Sequence, residues 1–249
     1  MAGRSLRFKN VGIEIPKWQI EIDDKTMLFW ALNPFRSVLK RVVFVANRSD
    51  SPKKLIHRVC AELSITNYEI LELEETPDGQ AITASLGLKL LPNSDPFVIW
   101  NIDTMLVPKS RLNLPNQGCW LTLTNLPGNS WSFAKVNGVE VVEVAEKVRI
   151  SDWASIGLYG FPNPEEYILA LQNQHKDTKS LTNEAYVAPL YGYFLSRGFT
   201  ITPHFVKTNE IVPLGTPQDL LFAHSNGIVK VQSSVLKILQ NNMTSLNDE

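Results

Sequence analysis

Phe97-Val98-Ile99-Trp100 runs without a break into Asn101-Ile102-Asp103. An unbroken run of bulky apolar residues describes a strand covered on both faces, and strands of that kind belong to layered α/β sheets. The polar residues that close the run mark where the strand surfaces. In an open α/β sheet the C-terminal strand ends are where ligands bind. Asp103 is therefore placed either to hold a divalent metal against phosphates or simply to turn a loop.

The residues ahead of this run alternate between strand and helix. Apolar spacing from Thr26 to Val38 predicts a helix bent or ended by Pro34, Val42–Ala46 a short buried strand, and Ser51-Pro52 the start of a helix through Leu63. Tyr68–Leu73 is a third strand, and Gly79-Gln80 leads into a helix through Leu90. Alternation of this sort is most economically a parallel sheet with covering helices. After Asp103 the period changes to two. Trp120–Thr124, Trp131–Val136 and Val139–Val144 read as strands, the last two joined by a tight hairpin at Asn137-Gly138. Ala154–Phe161 is a further strand, Pro164–Gln172 a helix, and a helix carrying Tyr186, Leu190, Phe194 and Leu195 ends near Gly198. Thr200–Val206 returns as a strand, and Pro217 opens a short helix. A weak helical period follows from Lys230, and Asn241–Ser245 is expected to fray.

The chain has 249 residues, 44% of them hydrophobic, enough for one large core. Its net charge is -1 with both signs dispersed, which leaves no footprint for duplex nucleic acid or an anionic membrane. No apolar run approaches the roughly 20 residues that span a bilayer, and the polar, basic N-terminus is unlike a signal peptide. The expected location is the cytoplasm. Cys60 and Cys119 lack metal-type spacing and are expected as thiols, and His57, His175, His204 and His224 form no ligand cluster.

Two stretches carry phosphate or base chemistry. Gly3 with Arg4, Arg7 and Lys17 is what a loop around a triphosphate requires: close backbone approach plus countercharge. A merely solvated basic N-terminus has the same composition. Gly79-Gln80, at a helix start, offers free N–H groups and a planar amide able to bond a base edge, or forms a plain turn.

In order along the chain stand the Gly-Arg loop, Pro16-Lys17, Gly79-Gln80, the strand ending in Asp103, Glu146-Lys147, Ala154-Ser155-x-Gly157-x-Tyr159 and Gly215-Thr216-Pro217-x-Asp219-Leu220. Together they resemble the sugar nucleotidyltransferases, the nucleoside-diphosphate-sugar pyrophosphorylases, over nearly the whole chain to about Leu220, and most closely members linked to capsular or other surface polysaccharide synthesis. The resemblance implies an α/β, glycosyltransferase-A-like, Rossmann-type mixed sheet, mostly parallel, with helices on both faces and a β-hairpin extension. It implies one nucleotidyltransferase domain: a nucleotide-binding half over 1–104, a sugar-phosphate-binding half over 105–223 and a helical tail over 224–249. The implied substrates are a nucleoside triphosphate and a sugar 1-phosphate, with Mg²⁺, and a homo-oligomer is compatible with it.

Carried over by position, Gly3, Arg4 and Arg7 fall in the triphosphate loop and Lys17 beside the bond that breaks. Gly79 and Gln80 face the base, and Asp103 the metal. Lys147 meets the sugar phosphate with Glu146 beside the sugar, and Gly157 lets the sugar approach the backbone. Arg7, Lys17 and Lys147 are the implied catalytic residues.

The sequence also departs from the family pattern. The apolar strand that precedes the glycine loop in family members is not part of this sequence, so it is either encoded upstream or lost. Trp18 and Val148 stand where proline commonly follows each lysine. Pro213 stands where a second metal-binding aspartate is often found, with Glu184 and Glu210 as candidate substitutes. Three other readings stay open. They are a related-fold glycosyltransferase using Asn101-x-Asp103, a phosphocholine-type cytidylyltransferase, and a nucleotide-sugar-binding or regulatory protein with weak catalysis.

Overall fold

A computed structural model describes residues 1–107, 114–115, 118–177 and 184–244. The first half contains α1 (Leu6–Lys9), a short hairpin of β1 (Glu21–Ile22) and β2 (Lys25–Thr26), α2 (Met27–Leu32), β3 (Val42–Asn47), α3 (Lys53–Glu62), β4 (Tyr68–Leu73), α4 (Gln80–Leu88) and β5 (Phe97–Trp100). The second half contains β6 (Thr104–Leu106), β7 (Cys119–Asn125), β8 (Ser132–Asn137), β9 (Glu140–Glu146), β10 (Trp153–Phe161), α5 (Pro164–Asp177) and α6 (Tyr191–Ser196). It continues through β11 (Ile201–Phe205), β12 (Ile211–Pro213), α7 (Pro217–Ser225) and α8 (Ser233–Thr244).

The expected mixed α/β architecture is present. Its largest sheet is built on β10, whose residues from Ala154 to Phe161 are all buried. One edge of β10 pairs with β7; the other pairs with β8 at Ala154 and with β5 from Leu158 to Phe161. The parallel share is smaller than expected. Among the described residues only β3–β4 and β7–β11 are parallel ladders. β5, expected among parallel neighbours, is paired antiparallel to β10, and β3–β4 forms a sheet of its own. The physical reason is that an apolar run reports burial on two faces and says nothing of strand direction.

Three local corrections follow from the backbone. The hairpin loop is Gly138-Val139, one residue later than expected, since Asn137 pairs with Glu140 and Gly138 takes the positive φ of 61°. Tyr186 lies outside the helix: a 3-10 turn begins at Ala188 and α6 at Tyr191. Asn241 and Asn242 belong to α8, and the Asn242 amide donates to the Val11 carbonyl at 2.9 Å. Ser245 lies outside the described residues.

That last bond belongs to a second core. Phe8, Ile13, Ile20, Ile22 and Met27 pack with Leu220, Val231, Val235 and Leu239, so the end of the chain closes over its start. The Ile22–Val231 bridge and the Lys230 amide, donated to the Asp23 carboxylate at 2.7 Å, tie the backbones together. Both cysteines are buried thiols, and burial pushes Cys60 up to about 11 and Cys119 up to about 12. Among the described residues no helix is long and apolar enough to cross a membrane.

Candidate active site

Pro16 sets up a tight 3-10 turn over Lys17–Gln19, and Trp18 is 1% exposed within a cluster that includes Leu28 and Phe44. Trp18, where the resemblance led us to expect proline, thus fixes the turn by burial. Its neighbour Lys17 is aimed across the site, where Nζ lies 2.6 Å from Asp103 Oδ2. Their side chains are 25% and 20% exposed. Burial pushes the Asp103 carboxyl up, but the Lys17 charge and hydrogen bond outweigh it and hold the group below the usual carboxylate range. The Lys17 amide donates to Ser5 Oγ at 3.4 Å, which draws the N-terminal loop over the same pair. Asn47, at the end of β3, donates to the Ala2 carbonyl at 3.1 Å.

Gly3, Arg4 and Arg7 are exposed along this loop. A Cβ on Gly3 would meet no atom within 4 Å, so nothing in the protein demands a glycine there. Arg4 lies 3.7 Å from Asp78, which brings the loop toward the Gly79 turn. Gly79 has φ 120°, and a Cβ there would stand 2.3 Å from the Ala185 nitrogen. Backbone bonds from Ala185 N to Asp78 O at 3.0 Å and from Ala81 N to Ala185 O at 2.9 Å complete the clasp. Gln80 donates to Asn101 Oδ1 at 2.5 Å.

Gly157 has a structural reason of its own to be glycine. Its positive φ of 83° sits at the register shift in β10, and a Cβ would lie 2.2 Å from Asn101 Nδ2. The space beside it is filled by Asn101. Gln80, Asn101 and Gly157 thus form one packed line from the turn at the start of α4 to the centre of the sheet.

Glu146 and Lys147 end β9. Ser132 Oγ donates to Glu146, and burial raises the Glu146 carboxyl against the opposing pull of that bond and of Lys147. Lys147 has φ 57° and donates its amide to the Trp131 carbonyl at 2.9 Å. Its Nζ is 4.4 Å from the Tyr186 ring centroid and donates to Tyr186 Oη at 2.5 Å. Tyr186 in turn donates to Glu184 Oε2 at 2.5 Å. Sequence reading missed Tyr186 as a site residue; apolar spacing shared with Leu190 and Phe194 made it look helical.

The geometry sets Asp103 at the centre, and Asp219 faces the same glycine, Gly215. Pro213 pairs with Thr104, and the Leu214 amide donates to the Asp103 carbonyl at 2.9 Å, so an apolar ring stands in the second position. Of the two candidate substitutes, Glu210 accepts from the Lys207 amide at 3.0 Å and Glu184 from the Tyr186 hydroxyl at 2.5 Å. Asp219 caps α7 by accepting from the Thr216 amide at 2.9 Å. A Cβ on Gly215 would stand 3.2 Å from Asp103 Oδ2 and 3.9 Å from Asp219 Oδ2. Among the described residues no three His, Cys, Asp or Glu side chains group as a metal cage. Asp103, held ionised, fits Mg²⁺ brought in with substrate phosphates, since that ion takes one or two protein carboxylates and keeps water.

No protein-family model and no curated protein sequence matches the chain. Among solved structures, a nucleoside-diphosphate-sugar pyrophosphorylase from Vibrio cholerae RC9 is 28% identical, with a TM-score of 0.81 over 88% of this chain and 96% of that one. The inositol-1-phosphate CTP transferase of T. maritima is 16% identical, with a TM-score of 0.70 over 96% of this chain and 92% of that one. A UDP-glucose pyrophosphorylase complexed with UDP-glucose is 15% identical, with a TM-score of 0.71 over 91% of this chain and 95% of that one. The structural neighbours are nucleoside-diphosphate-sugar pyrophosphorylases and related sugar nucleotidyltransferases, and their fold is the one this chain adopts.

Proposed function

We propose that this protein, built on the sugar nucleotidyltransferase fold, joins a nucleoside triphosphate to a sugar 1-phosphate and releases pyrophosphate. The Lys17–Asp103 pair carries the reading: a half-buried ammonium and an ionised carboxylate 2.6 Å apart, at the end of the β5 run and under an arginine-bearing loop. The attacking oxygen belongs to a phosphate that is already anionic, so no general base is needed. It forms a bond to the α-phosphorus as the bond from that phosphorus to the bridging oxygen breaks, and pyrophosphate leaves with the electron pair.

The obstacle is charge, and the residues present answer it with fixed cations. Lys17 stands where it can neutralise the α-phosphate as charge develops, and Arg4 and Arg7 supply countercharge to the leaving phosphates. Lys147 meets the acceptor phosphate, with Glu146 toward the sugar. Gly79 and Gln80 face the base, Gln80 with the amide edge that Asn101 leaves free. Bound Mg²⁺, held by Asp103 and phosphate oxygens, would supply further charge neutralisation. The product is a glycosyl donor of the kind surface polysaccharide synthesis consumes, and we take that as its role.

The test is pyrophosphate release with Mg²⁺ across nucleoside triphosphates, sugar 1-phosphates and phosphocholine. Release that needs both substrates is expected. Folded protein that binds nucleotide yet releases nothing from any pair would favour the weakly catalytic binding protein, a reading to which Pro213 beside Asp103 lends weight.

A further inference from the structure

Lys147 is exposed, and a lysine at an exposed position is ordinarily a mobile point charge on a flexible stem. Here both ends are fixed. The left-handed backbone at φ 57° and the bond to Trp131 set the Cα, while the ammonium lies on the Tyr186 ring and donates to its hydroxyl. Burial and the Glu184 acceptor raise the Tyr186 phenol, so it keeps the proton it donates onward. Tyr186 is itself set between two anchored residues: Ala185, clasped to the Gly79 turn by two backbone bonds, and Val187, 1% exposed.

We propose that Tyr186 is a positioning residue for Lys147, holding its ammonium ready for the acceptor phosphate, and that the segment Glu184–Val187 ties this alignment to the Gly79 turn. The proposal rests on the nucleotidyltransferase reading of the site. An ammonium has three donors; the phenol takes one and leaves the others for phosphate. Glu184 acts through the phenol, so its charge steadies the lysine without occupying it as a direct carboxylate partner would. Ordering the head group in advance removes part of what binding must otherwise supply.

The test compares wild type, Tyr186→Phe and Glu184→Gln. Tyr186→Phe keeps the ring under the lysine and removes the hydroxyl. Its KM for sugar 1-phosphate should rise about tenfold, the scale of one hydrogen bond to a charged group, with KM for the nucleoside triphosphate unchanged. Glu184→Gln should move the same constant by less. A second readout does not depend on turnover: mass-spectrometric labelling of Lys147 by an amine-reactive reagent, with inorganic phosphate as the protecting probe. Labelling should be faster in Tyr186→Phe than in wild type. Unchanged acceptor KM together with unchanged Lys147 labelling overturns the proposal. Should wild type release no pyrophosphate with any pair, the function fails, and the labelling comparison alone then decides whether Tyr186 holds Lys147.

Discussion

Lys17 and Lys147 stand at the two ends of the candidate site and are held in different ways. Lys17 is three-quarters buried and bonded directly to a carboxylate. Lys147 is exposed and bonded to a neutral phenol that shields it from the acid beyond. Under the proposed function the difference is one of duty. A charge that must act on a developing transition state gains from low dielectric and a fixed partner, and a charge that must catch and release a substrate gains from staying available.

The largest effect should come from breaking the buried end. Lys17→Ala should lower kcat by about 10²-fold or more with the fold intact, the scale seen when a charge-stabilising donor is deleted. Lys147→Ala should act chiefly on the acceptor KM. Circular dichroism and pyrophosphate-release kinetics on both variants decide it. A folded Lys17→Ala protein with near-normal turnover would remove the distinction between the two lysines and the proposed role with it.

Next in size is the clasp that joins the two ends. Gly79→Ala should destabilise the fold by about 2–3 kcal/mol, because the new methyl meets the Ala185 backbone and the left-handed φ is strained. Gly157→Ala should cost less. The atoms it meets all belong to the Asn101 side chain, which can shift by breaking its bond to Gln80, whereas at Gly79 the atoms are backbone. Denaturant midpoints measure both, and equal losses would mean that the Gly79 turn is no more tightly held than the β10 bulge.

These contacts show what the sequence could and could not disclose. The run ending at Asp103, the Thr216-Pro217 helix start and the period-two strands were legible because burial and local turn chemistry leave marks within a few residues. The family resemblance put Lys17 and Asp103 in one site, but the bond between them, 86 residues apart in sequence, came into view only in the structure. Tyr186 was hidden because its spacing imitates a helix while its neighbour Ala185 bonds to Asp78, a pairing no local pattern encodes. Gly157 was legible as special, but a glycine signals close approach without saying what approaches, and the Asn101 contact showed only in the structure. The three-residue strands β6 and β12 are too short to show a period.

The two site carboxylates should carry opposite pH signatures, a smaller effect. Asp103 has its folded pKa below the ordinary 3.8, so the stability it contributes is present above that value and lost as pH falls through the lowered one. Asp103→Asn should therefore be less stable than wild type at pH 7, with the gap narrowing in strong acid. Glu146 is raised above its ordinary 4.5, so its contribution is present below that value and lost as pH rises through the raised one. Glu146→Gln, which can still accept from Ser132, should be more stable than wild type at pH 7, with the gap closing toward pH 4.5. Melting curves across that range test both signs, and gaps of the same sign would contradict the contrast in burial and pairing.

The smallest structural effect separates a glycine kept for the protein from one kept for a ligand. Gly79 is required by Ala185, but nothing in the protein crowds Gly3. Gly3→Ala should leave the melting temperature within about 1 °C or raise it slightly, because alanine narrows the unfolded ensemble where the backbone accepts it. If the loop passes its backbone close to a phosphate, the same methyl should raise KM for the nucleoside triphosphate several-fold and leave the acceptor KM alone. A variant unchanged in both stability and triphosphate KM would show that Gly3 makes no close approach. The work of the loop would then rest on its arginines alone, and the triphosphate end would resemble Lys147 in using exposed charge more than it resembles Lys17.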